Sequence, residues 1–152
     1  MTILEIKYKL QEQCSDLISI RLDSIQKTIK DIETSLKEES KSTSGDKHHT
    51  GRAMLQIERE KAGNQLREIE KVMRQLDKVD IENSSDVARL GSIVKTNQAV
   101  FFISISVGKL EINDSVYLGV APNSPIGLNL LGKKKGEQFN FNSRIYKIVE
   151  VV

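Results

Sequence analysis

Three carboxylates, Glu38, Glu39 and Asp46, bracket a run of turn-forming residues, Ser40-Lys41-Ser42-Thr43-Ser44-Gly45. Carboxylate oxygens are hard donors, and a few of them can complete the coordination of a cation such as magnesium and hold a water beside it. Three are too few for a closed cage, so this chemistry needs a partner that already owns the metal. The plainer reading is solvation of an exposed turn.

The other reactive side chains point to less. His48 and His49 are adjacent, so on a helix they leave about 100° apart and do not form the i, i+4 clamp of a helical metal site. Cys14 lies four residues after Leu10 and three before Leu17, the position of a seam residue rather than a nucleophile. Gly127–Lys134, GLNLLGKK, has the outline of a phosphate-binding loop, but a lysine stands where a hydroxyl should hold magnesium. Its interior leucines must be buried, which denies the backbone to a phosphate. Lys133-Lys134-Lys135-Gly136 reads as a solvated turn, with contact to acidic protein or nucleic-acid backbone as the alternative.

Long elements are needed to carry the acidic break. Ile18, Leu22, Ile25, Ile29, Ile32 and Leu36 recur at steps of four and three. Leu55, Ala62, Leu66, Ile69, Met73 and Leu76 form a second seam after the break. Such seams make a coiled coil, and the short connection requires the helices to fold back antiparallel. The hairpin is assigned to residues 1–80 with a polar, acidic tip at about 38–52. About 35 residues per arm at ~1.5 Å each reach roughly 50 Å.

The period changes after Asp77–Asp86. Phe101, Ile103, Ile105 and Val107 alternate as in a half-buried strand, as does Phe139-Asn140-Phe141-Asn142, and Ile145–Val152 is rich in β-branched residues. Pro125 opens a short apolar run that Gly132 closes. Residues 81–152 are therefore expected to form a small twisted sheet with one short helix, giving an α+β chain.

Charge narrows the partner. Residues 1–80 balance 15 basic against 15 acidic side chains, and 81–152 carry 8 against 6. No basic stripe marks a sequence-specific duplex-DNA binder. One cysteine precludes an internal disulfide, and no run approaches the ~20 apolar residues of a membrane span. With no secretory leader read at the start, a cytoplasmic location is expected.

The stretch Ala121-Pro-Asn-Ser-Pro-Ile-Gly-Leu-Asn-Leu-Leu-Gly-Lys-Lys-Lys-Gly-Glu137 resembles the C-terminal signature of bacterial Gre-type transcript-cleavage factors. Val87–Val94 resembles that family's first sheet strand and Tyr146–Val149 its last. The resemblance implies an antiparallel coiled-coil hairpin followed by an FKBP-like sheet domain that docks on bacterial RNA polymerase at its secondary channel. It implies no enzyme and no cofactor of the protein's own. Tip carboxylates would assist magnesium supplied by the polymerase, whose centre hydrolyses backtracked RNA. Carried over, Asn123, Ser124 and Pro125 match the docking loop, with Asn123 where aspartate is common. Asp46, with Glu39 and Glu38, would be the working acids. Lys47 and Arg52 are candidates for contact with the nascent RNA 3′ end. The tip departs from the family pattern, since Ser42 and Gly45 fall at its two acidic positions.

Three rivals carry different expectations. A Gre-like channel binder with a mismatched tip would inhibit or compete without stimulating cleavage. A prolyl isomerase needs an aromatic-lined pocket, and with no Trp, four Phe and three Tyr no isomerase activity is expected. A structural coiled coil would dimerise through its seams, whereas an intramolecular hairpin is a monomer.

Overall fold

The computed structural model describes residues 1–41 and 47–152, with the side chains of 1–40 and 51–152. The chain is α+β: a long N-terminal helical region, then a six-stranded mixed sheet. It divides into two compact units, one made of Met1–Leu17 with Arg74–Val152, the other of Ile18–Met73.

Helix α1 spans Ile3–Lys41 and α2 spans Lys47–Asp77. Thr2 starts α1 by accepting the Glu5 N–H on its Oγ1 at 3.1 Å. A threonine followed three residues later by glutamate is the sequence mark of a helix start. Within Ile18–Met73, Ile25, Ile29 and Ile32 of α1 and Ala62 of α2 are buried in one cluster, with Leu36, Leu55, Leu66 and Ile69 packed on it. These are the two apolar seams read from the sequence. Arg59 Nε meets Glu33 Oε1 at 3.2 Å beside the cluster, both side chains well exposed, so the pair adds little to stability.

In the other unit β1 (Ile93–Thr96), β2 (Val100–Ile103), β3 (Gly108–Ile112), β4 (Ser115–Val120), β5 (Gln138–Phe141) and β6 (Arg144–Val151) lie in the order β3-β4-β2-β1-β6-β5. All neighbours are antiparallel except β2 and β4. A short helix α3 (Pro125–Leu130) follows β4. One core gathers Ala88, Val94, Phe101, Ile103, Val120, Leu130, Ile148 and Val151. Successive strand residues face opposite sides, so Ile93 and Phe102, register partners and both buried, face away from that core. Leu10 and Cys14 are fully buried in this unit, and Gln11 accepts a hydrogen bond from Ser104 Oγ at 3.4 Å.

Two boundaries differ from the sequence reading. Of Val87–Val94 only the last two residues are strand; the rest turns at Gly91, whose φ of +94° places it against Asp80 O. Strand β2 stops at Ile103 because Ser104 and Val107 bond irregularly to Val120 and Gly119. The β3–β4 hairpin was not anticipated. Its two-residue turn, Asn113-Asp114, has both φ values positive, which short polar side chains tolerate and which matches strand twist.

Candidate functional site

Glu38 and Glu39 occupy the last turn of α1 and diverge. Glu38 is exposed; Glu39 is half-buried, its carboxylate 3.2 Å from where a Cβ on Gly51 would stand. A shallow groove between the helices holds both, together with Ser35, Gly51, Met54, Leu55 and Glu58. Glu58 is a third acid that periodicity gave no reason to single out, since its place beside Glu38 and Glu39 exists only once α2 is laid on α1. Among the described residues no group of three His, Cys, Asp or Glu side chains is set to hold a metal. Asp46 lies outside the described residues, as do the side chains of Lys47, His48 and His49.

Arg52 is committed to α1. Its Nη1 donates to Leu36 O at 3.3 Å and also to Ser40 Oγ, which in turn donates to Leu36 O at 3.0 Å. Leu36 lies five residues before the end of α1, so the guanidinium adds a further donor to a carbonyl there and places a positive charge near the negative end of the helix dipole.

The loop before α3 is built from its serine. Ser124 Oγ donates to Ala121 O at 2.6 Å and accepts from Gly127 N at 3.1 Å, with the extended backbone (φ −72°, ψ 159°) of a helix N-cap. Pro125 then supplies a fixed φ at the first helical position. Gly127 is required: a Cβ there would stand 2.0 Å from Ala121 O. With both capacities of its hydroxyl used, Ser124 shapes the loop, and Asn123 and Pro125 are what it presents to solvent. Leu128, one turn further and 63% exposed, extends this surface. The sequence signal for it was available: Pro125 and Leu128 are three apart and share a helix face, opposite the buried Leu130.

The segment with a phosphate-loop outline is this helix, with Leu130 fully buried. Its lysines follow in a turn closed by Lys134 N donating to Glu137 Oε1 at 3.0 Å.

Two buried groups carry shifted protonation. Burial pushes the Cys14 thiol up to about 11, partly offset by a hydrogen bond with Ser104. Burial also pulls Lys7 below the ordinary lysine value, helped by the Arg89 charge and opposed by Asp80. Neither is an activated nucleophile: the thiol is kept protonated, and Lys7 is 1% exposed.

A cleft of about 370 Å³ opens beside α3, lined by Phe101, Leu118, Ile126, Phe141, Arg144 and Tyr146 among others. The sequence reading did not anticipate it, because Phe101 of β2 joins Phe141 and Tyr146 of the β5–β6 hairpin only after the sheet has formed. No helix among the described residues is long and apolar enough to cross a membrane.

No protein-family model matches the sequence, and neither does any curated protein.

Proposed function

We propose that the protein is an accessory transcription elongation factor that binds RNA polymerase at its secondary channel and stimulates the polymerase's own cleavage of backtracked RNA. The observation that carries this reading is a long two-helix element with exposed Glu38 and half-buried Glu39 in the last turn of α1, together with a separate sheet unit bearing a serine-capped proline loop. The contacts Glu33–Arg59 and Leu36–Arg52 fit two helices running antiparallel, as a coiled-coil hairpin requires. The mixed sheet with one short helix is compatible with an FKBP-like domain.

In this reading the sheet unit docks through Asn123, Pro125 and Leu128, with Ser124 holding the loop. The helical element enters the channel. Glu38 and Asp46 would then offer oxygen ligands that help retain magnesium supplied by the polymerase, and the ion so held would make a bound water more acidic. Glu39 sits closer to α2 and shapes the groove. Two or three carboxylates without a closed cage suit a shared ion better than a resident one.

The test is a stalled, backtracked elongation complex incubated with the purified protein. Faster shortening of the RNA is expected, lost in Asp46→Ala. Binding without any change in cleavage sinks the catalytic half and leaves a channel binder that inhibits nucleotide addition. The departure of the tip from the Gre-like pattern, with serine and glycine at two acidic positions, is the feature that favours this second reading.

A further inference from the structure

The β5–β6 wall of the aromatic cleft and the lysine turn belong to one stretch that the elongation-factor reading leaves unused. Residues 133–147 carry Lys133, Lys134, Lys135, Arg144 and Lys147 against a single acid, Glu137. That acid is engaged by the Lys134 amide, and Glu150 of the same hairpin strand is paired with Lys95 at 3.3 Å. Among the described residues, no carboxylate lies within ion-pair distance of Lys133, Lys134, Lys135 or Arg144.

Strand register puts rings and charge on one face. Phe139 opposes Tyr146, and Phe141 opposes Arg144, so all four project to the same side of the β5–β6 hairpin. Phe139 and Tyr146 stack, with centroids 5.2 Å apart and planes at 2°, while Phe141 meets Tyr146 edge-on at 6.5 Å. Phe141 and Tyr146 are half-buried and line the cleft with Arg144. The lysine turn joins the other end of the hairpin, where Gly136 N donates to Ile148 O at 2.8 Å. From Ile148 to Arg144 is about 13 Å along the strand. Cations therefore lie at both ends of the hairpin; of the two on β6, Arg144 shares the face of the rings and Lys147 points to the opposite one.

We propose that this face binds single-stranded nucleic acid, with a base stacking on Phe141, which Tyr146 supports from beneath, and phosphates held by Arg144 and the lysine turn. Unpaired cations flanking aromatic rings match the two terms that single-strand binding combines, a phosphate track and a stacking platform. An acidic protein surface would answer the charge but leave the rings unused. The site lies wholly in the sheet unit and stands whether or not the protein acts on RNA polymerase.

The test is fluorescence anisotropy of the full chain with a labelled twelve-nucleotide single strand, in ribose and deoxyribose forms, across a salt series. Binding should weaken with salt at about −0.7 in log–log slope per phosphate contacted, so roughly −2 to −3 for three or four contacts. Phe141→Ala should weaken it about fivefold or more. Lys134→Glu with Lys135→Glu should weaken it about tenfold and flatten the slope, with circular dichroism unchanged. If Phe141→Ala loses its fold, the lysine pair and an abasic strand of equal length decide. Binding of either sugar form supports the site, and a preference names the source as RNA or DNA. No binding, equal binding of the abasic strand, or equal binding of polyglutamate would each overturn it, the last pointing to an acidic protein instead.

Discussion

The side-chain amide of Gln13 bonds both backbone groups of Glu111: its Nε2 donates to Glu111 O at 2.7 Å and its Oε1 accepts from Glu111 N at 3.2 Å. Glu111 lies on β3, an outer strand of the sheet, so a helix side chain takes the place that a further strand would occupy. Replacing Gln13 by alanine leaves the two groups to water. The expected cost is about 0.5–1 kcal/mol, because the site is exposed. Amide exchange at Glu111 should quicken while that of Phe102, on an inner strand, is unchanged. Identical exchange at Glu111 in both proteins contradicts the assignment.

Two glycines should respond oppositely to alanine. At Gly127 the new methyl meets Ala121 O at 2.0 Å, and the backbone cannot yield without opening the Ser124 cap. Destabilisation of about 2 kcal/mol or more is expected. At Gly63, in α2, the nearest atom is the flexible end of Arg59 at 3.1 Å. There alanine should be neutral or stabilise by up to about 1 kcal/mol through helix propensity. Urea midpoints of the two variants separate these outcomes.

Lys7 gives a pH dependence of known sign. Its folded value is lowered, chiefly by burial, so between that value and the model-peptide 10.5 the unfolded chain binds more protons. Stability from this group therefore rises with pH across that window, and at neutral pH the buried charge is a cost. Lys7→Met should raise stability on the order of 1 kcal/mol at pH 7, and the gain should shrink toward pH 10. Comparing variant with parent at each pH cancels Tyr8, whose hydroxyl is pushed up mainly by its 2.8 Å bond to Glu82. A gain independent of pH rules out the charge as its origin.

Cys14 should be silent in the folded protein. With its thiol pushed up to about 11 and no exposure, alkylation at pH 8 should proceed only as fast as the chain opens. Mass spectrometry in increasing urea should show labelling that follows the unfolding transition. Rapid labelling without denaturant contradicts the burial.

The carboxylates of the helical element should not be equivalent. Exposed Glu38 is expected to matter more than Glu39, which leans toward Gly51. In the backtracked-complex assay, Glu38→Gln should reduce any stimulated cleavage severalfold, and Glu39→Gln by less. The reverse order shows that Glu39 turns outward when bound.

Much of the helical region was readable without coordinates, because burial there follows a local rule. A step of three or four residues returns a side chain to the same face, so Ile25, Ile29 and Ile32 name their own seam, and Ala62, Leu66 and Ile69 name the partner. The short helix after Pro125 was equally local, set by a serine cap, a proline and a closing glycine. The sheet yielded less. Strands were visible where apolar residues alternate, as at Phe101–Ile103 and Phe139–Phe141, but β3 and β4 hide behind exposed positions such as Glu111 and Val116.

Tertiary structure alone decided the rest, since it rests on contacts between residues far apart in the chain. Gln13 and Glu111 are 98 positions apart, and Cys14 meets Ser104 from a helix whose spacing marked it only as a seam residue. Glu58 joins Glu38 and Glu39, and Phe101 joins Tyr146, only after the helices and strands have packed. Side-chain periodicity depends on the geometry of one element and is written in order along the chain. Juxtaposition depends on how elements share a core, where many residues together set each position.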